Sequence, residues 1–158
     1  MTIANLGSEA DEVAKRTRGS EPVVRPWGSF IVIGNDYREY FLATYFPTVD
    51  RRLLRGDEVF KLLIVATGER LSWQYHRRRS ERWYCVRGQG SIYLNDSDEI
   101  PSPRSYGQGE MIEIPPHSRH MVHADTSEMI IAEIWIHHGE VPSDEDDIVR
   151  VIDWYGRS

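Results

Sequence analysis

From residue 23 onward the chain is a succession of short β-branched and aromatic runs, at 29–33, 39–46, 59–65, 82–86, 91–94, 111–114 and 129–136. Gly, Pro, Asn and Asp punctuate them, as they do strands joined by turns. Tyr84 and Val86, then Ile92 and Leu94, alternate as half-buried strands require. No long segment with a 3.6-residue apolar period interrupts the series, so neither a helical bundle nor an alternating α/β chain fits. The pattern predicts an all-β protein, an antiparallel sandwich or barrel.

With 158 residues there is room for one domain, expected over 21–158, preceded over 1–20 by a tail or a short helix opening at Ser8-Glu9-Ala10-Asp11. A net charge of −6 argues against nucleic acid as a partner. The apolar runs are too short to cross a membrane and the first residues are polar, without the pattern of a secretory signal. A single cysteine, Cys85, allows no internal disulfide and, flanked by Tyr84 and Val86, reads as buried and inert. These features predict a cytoplasmic protein. Residues 95–110 read as one long mobile hairpin loop, and 143–147 as a solvated acidic turn.

Two polar clusters interrupt this pattern. In a strand, Gln74 and His76 project to one face, and Glu81 returns to that face from the next strand after a turn at 77–80. His117, His120 and His123 follow Pro115-Pro116. Each cluster alone is weak, because most histidines are surface or satisfied core residues. Their spacing is stronger evidence. Gly68-x5-Gln74-x-His76-x4-Glu81-x6-Gly88, then Gly109-x5-Pro115 with His120, resemble the paired signatures of the cupin family, with Gln at the first His position. That resemblance implies a jelly-roll barrel, the double-stranded β-helix.

Longer blocks narrow it. Arg25-Pro26-Trp27-Gly28-Ser29-Phe30, then Leu71-Ser72-Trp73-Gln74-Tyr75-His76 with Arg79, Glu81 and Trp83, then Asp146-Asp147-Ile148-Val149-Arg150 with Asp153, Tyr155, Gly156 and Arg157, resemble the type II phosphomannose isomerase domain. That domain also forms the C-terminal half of bifunctional mannose-1-phosphate guanylyltransferases. The Gly-rich nucleotide loop of their other half has no counterpart here, which argues against GDP-mannose synthesis by this chain. Three family histidines are replaced by Arg77, Arg78 and Arg82, which suggests a rebuilt pocket rim.

The resemblance implies Gln74, His76, Glu81 and His120 as ligands of one divalent metal. Such a mixed N/O set suits zinc and also takes manganese, cobalt, nickel or iron. It implies Arg79 as a cation beside the metal, with Arg150 and Arg157 as weaker candidates for a phosphate seat; ion pairs with the acids at 144–147 are the alternative for those two. Lys61 shares a strand face with Val59 and Leu63, an inward direction, unless it is an edge-strand lysine. Glu133 shares a face with Ile131 and Trp135 and is a candidate base with a raised pKa. The five tryptophans include candidates for a sugar-stacking wall. The expected activity is interconversion of mannose 6-phosphate and fructose 6-phosphate through a cis-enediol, with a small sugar phosphate as partner and a homodimer as the assembly. The alternative is a non-catalytic sugar- or ligand-binding cupin.

Overall fold

The computed structural model describes residues 21–158; the tail or short helix expected over 1–20 lies outside the described residues. Among the described residues, eleven strands form two antiparallel sheets. The six-stranded sheet runs β1 (Val23–Arg25), β2 (Gly28–Ile33), β3 (Val59–Val65), β10 (Met129–His137), β5 (Arg79–Arg87) and β8 (Met111–Ile114). The five-stranded sheet runs β11 (Val149–Ile152), β4 (Trp73–Tyr75), β9 (Arg119–His123), β6 (Gln89–Asn95) and β7 (Arg104–Gly107). This is the all-β barrel that the punctuated runs predict.

Both faces of the six-stranded sheet are covered at its middle, which explains why β10 is buried along its whole length, while Met111 and Glu113 of the edge strand β8 stay exposed. Phe60, Leu62 and Ile64 of β3, with Ile130, Ala132 and Ile134 of β10, face outward against a helix. Leu63 and Val65, with Met129 and Ile131, face inward and meet Trp83, Ile92, Ile114 and Val122 between the sheets. The period of two thus sorts each strand into two cores.

The helix corrects an expectation. Residues 39–46, expected as a strand, form α1 (Arg38–Tyr45), which buries Phe41, Leu42 and Tyr45. Eight residues with no side-chain N-cap bond make a helix that does not stand alone. Burial of Phe41 against Phe60, with ring centroids 5.3 Å apart, supplies what local propensity lacks. The long loop expected over 95–110 is also corrected in part. Residues Arg104–Gly107 within it form β7, which pairs with β6, and the Asp98 backbone carbonyl accepts the indole N–H of Trp73 at 2.8 Å.

Strand β1 turns into β2 through Pro26 and Trp27, with Arg25 opposite Gly28. Gly28 has φ 149°, and a Cβ there would lie 2.0 Å from the carbonyl oxygen of Ile64. Only glycine lets this turn sit flush on β3, and so places Arg25 and Trp27 beside the barrel mouth.

Candidate metal centre and cavity

His76 follows the last residue of β4, and only Arg77 and Arg78 separate it from the start of β5. That turn is held from far along the chain. Asp147 Oδ1 accepts the N–H of Arg77 at 3.0 Å, and its Oδ2 accepts the N–H of Arg78 at 2.9 Å and the Ser143 hydroxyl at 2.6 Å. The backbone carbonyl of Asp147 lies 2.7 Å from His76 Nδ1. A carbonyl can only accept, so Nδ1 carries the proton and Nε2 keeps its lone pair. His120, in β9, repeats the arrangement, with Nδ1 at 2.9 Å from the carbonyl of Ser118.

Both Nε2 atoms converge on Glu81, which enters from β5. His76 Nε2 lies 3.2 Å from Oε1, and His120 Nε2 lies 3.3 Å from Oε2. One ligand atom from each of the three residues falls within 4.8 Å of the others, and all three side chains are buried. Burial pushes the His76 pKa down to about 3, so its imidazole is neutral at ordinary pH. Burial works to raise Glu81, but His76, Arg79 and His120 beside it hold the carboxyl well below the usual carboxylate range.

Two imidazole lone pairs therefore face an ionised carboxylate. Glu81 Oε2 and His120 Nε2 are buried with no hydrogen-bond partner despite their closeness. Such groups are costly unless a cation joins them. Imidazole nitrogen with carboxylate oxygen is a donor set that borderline divalent metals take, and the carbonyl-anchored Nδ1–H groups are the usual outer support of such ligands. The residues fit a divalent metal.

Gln74 is half-buried on β4, opposite His120 on β9 and Arg150 on β11. Its Oε1 accepts the Ser72 hydroxyl. Arg79 spans the centre: Nε donates to Glu81 Oε1 at 2.8 Å, Nη2 lies 3.1 Å from His76 Nε2, and Nη1 donates to the Ser143 hydroxyl at 2.8 Å.

Above this centre lies a cavity of about 830 Å³. Gln74, Glu81, Lys61, Arg79, Glu133, Arg150 and Arg157 all line it, whereas His76 and His120 do not and meet it through Glu81. Lys61 is no edge lysine, because β3 lies between β2 and β10. Its Nζ donates to Glu145 Oε1 and sits 3.8 Å from the Trp135 ring centroid and 4.2 Å from that of Phe30. Glu133 pairs with Lys61 across one ladder and with Trp83 across the other. Each of its oxygens accepts an indole N–H at 2.8 Å, from Trp83 and Trp135. Burial, then the charge of Glu81, raise the Glu133 pKa to about 8 against the pull of Lys61 and Arg79.

Several expectations change. Arg77, Arg78 and Arg82 do not line the cavity. Arg78 pairs with Asp144 and Arg82 with Glu113, so these replacements alter the outer surface instead of the rim. Arg157 pairs with Asp153, and Arg150 donates to the Ser158 carbonyl at 2.7 Å, so neither is held by the acids at 144–147. Those acids are no simple solvated turn: Ser143 and Asp147 are buried. Of the second histidine cluster, only His120 reaches the centre; His123 pairs with Asp125, and the His117 N–H bonds the His76 carbonyl. Trp27, Trp83 and Trp135 line the cavity, whereas Trp73 is buried outside its lining and Trp154 is exposed. Cys85 is buried, and burial pushes its thiol up to about 12. Ser143, Glu145 and Asp147, expected in a solvated turn and, for Asp147, in the closing family block, were given no role at the site. The available signal was the apolar Ile148-Val149 directly after the acids, which ties them to a strand.

A family model described as "Mannose-6-phosphate isomerase C-terminal" matches residues 42–153, which include Gln74, His76, Glu81 and His120. Among curated proteins, a mannose-1-phosphate guanylyltransferase of Sinorhizobium fredii is 27% identical over 91% of this chain and 23% of its own length. The alginate biosynthesis protein AlgA of Pseudomonas aeruginosa is 29% identical over 86% of this chain and 23% of its own. The chain therefore spans under a quarter of these relatives. Among solved structures, oxalate decarboxylase of Bacillus subtilis aligns with a TM-score of 0.62 at 13% identity, over 90% of this chain and 32% of that one. This last likeness bears on the fold alone, a cupin barrel.

Proposed function

The chain belongs to the mannose-6-phosphate isomerase C-terminal family, and from that premise we propose that it is a metal-dependent sugar-phosphate isomerase acting between mannose 6-phosphate and fructose 6-phosphate. The observation that carries this reading is the convergence of His76 Nε2, His120 Nε2 and both oxygens of Glu81 beside a cavity that also holds Lys61, Arg79 and Glu133. The isomerisation moves a proton between C1 and C2 through a cis-enediol. It needs a base, charge stabilisation on two oxygens and a seat for the phosphate.

Gln74, His76, Glu81 and His120 would hold the metal, with zinc first among the candidates. Bound there, it would supply Lewis-acid polarisation of the sugar oxygens. Glu133 takes and returns the proton; a carboxyl titrating near neutrality exchanges it readily at either step. Lys61 and Arg79 bring two buried cations to the same wall, both against the Trp135 ring, where they stabilise oxyanion charge. Arg150 and Arg157, on and beyond β11, line the same cavity and add cationic charge for the phosphate alongside Lys61.

One observation favours a second reading, a ligand-binding barrel without turnover. The Arg79 fork engages His76 Nε2 and Glu81 Oε1, two of the atoms a metal would need. Proton NMR of mannose 6-phosphate in D2O separates the two. The isomerase forms fructose 6-phosphate and exchanges solvent deuterium at the carbon that receives the proton; saturable binding without either change supports the second reading instead.

A further inference from the structure

Lys61 and Glu145 form an unequal pair. The lysine side chain is 4% exposed, while that of Glu145 is 58% exposed. A buried ammonium needs a counter-charge, and here an exposed acid on the connection between β10 and β11 reaches in to supply it. Glu133 stands across the ladder from Lys61 and accepts an indole N–H on each oxygen, yet it is Glu145 that Nζ pairs with. The other neighbours of Nζ are the aromatic faces of Phe30 and Trp135, which attract the cation but donate no oxygen.

The segment carrying Glu145 is fixed on both sides. Ser143 is held by Arg79 and Asp147, and Asp147 by the Arg77–Arg78 turn. Glu145 can therefore leave Lys61 by rotating its own side chain, with no opening of the barrel. What it exposes is an ammonium at the wall of a cavity large enough for a phosphorylated sugar.

We propose that Glu145 is an internal, exchangeable counter-ion: it occupies the place on Lys61 that an oxyanion of the ligand takes, and anion binding proceeds by displacing it. This rests on the sugar-phosphate reading for its choice of a phosphate-type anion over other oxyanions. A phosphate dianion displaces a single carboxylate with a gain of charge at the cation, whereas a neutral sugar has nothing to offer in exchange. The exchange thus selects anionic ligands by the cost of leaving Lys61 unpaired.

The test is calorimetric titration of the metal-loaded protein with inorganic phosphate at 0.15 M ionic strength, which screens long-range charge. It compares the parent with Glu145→Ala and Asp146→Ala. Asp146 lines the same cavity and is exposed, so its removal controls for loss of one negative charge from the wall. Removing a tethered competitor of millimolar effective concentration should tighten phosphate about tenfold in Glu145→Ala, with Asp146→Ala close to the parent. Glu145→Gln, which keeps the shape, should follow Glu145→Ala. Equal tightening in the Glu145 and Asp146 variants, or none in either, overturns the proposal. Tightening confined to the Glu145 variants, in a protein that fails to turn over mannose 6-phosphate, upholds the counter-ion and removes the isomerase.

Discussion

The backbone carbonyl of Asp147 accepts the Nδ1–H of His76 at 2.7 Å, while the Asp147 carboxylate binds both N–H groups of the turn that follows His76. One residue therefore sets the tautomer of a metal-ligand candidate and the path of the chain behind it. Asn in its place turns an NH2 toward donors that now meet an oxygen. Asp147→Asn should weaken metal binding by about 10–100-fold, the range for outer-shell support. Competition against a chromogenic chelator measures this. An unchanged metal affinity in a folded variant contradicts the positioning role.

Glu81→Gln and His120→Ala should each lower metal content sharply, since each removes a ligand atom from a set gathered within 4.8 Å. Elemental analysis of protein loaded with zinc and then desalted gives the stoichiometry. A variant that retains the parent's full content removes its residue from the ligand set.

Two buried carboxylates should give metal-free protein opposite pH slopes. Asp147 is pulled down to about 2; burial opposes this, but the bonds from Ser143 and from the Arg77 and Arg78 N–H groups prevail. Its stabilisation is present above the unfolded value of 3.8 and is lost as pH falls toward 2. Glu133 is raised, so it holds a proton in the fold that the unfolded chain releases above 4.5. Its contribution is full below 4.5 and declines as pH rises toward 8. Urea midpoints across this range should fall at both ends, and the alkaline fall should shrink in Glu133→Gln. An alkaline limb that is the same in parent and variant contradicts the assignment to Glu133.

Phe41→Ala should destabilise the fold by about 3–5 kcal/mol, the cost of emptying a fully buried phenyl site. Denaturant unfolding reads the loss, and a cost below about 1 kcal/mol would mean that α1 is not held by its packing on β3 and β10.

What the sequence shows and what it hides divides along a physical line. Alternation marked β3 and β10 because each residue there has a fixed side, so the inward directions of Lys61 and Glu133 were legible. The closeness of Gln74, His76 and Glu81 was legible because β4, its turn and β5 are contiguous. Helix α1 was not, since Tyr40, Phe41 and Thr44 favour strands locally and only the outer face of the sheet decides otherwise. The role of Asp147 was hidden for a different reason. Its partners lie 70 and 69 residues earlier and are backbone N–H groups, which carry no sequence signal. Arg77 and Arg78 suggested a changed rim by identity, yet their side chains lie outside the cavity and their backbone does the work.

In the proposed function a metal held by Gln74, His76, Glu81 and His120 supports sugar-phosphate isomerisation in this cavity. A coupled assay from mannose 6-phosphate to fructose 6-phosphate tests it most directly, run on protein as purified, after chelation, and after reloading in turn with zinc, cobalt and manganese. The expected result is turnover that chelation abolishes and at least one metal restores. Stoichiometric metal with no turnover under any loading would contradict it.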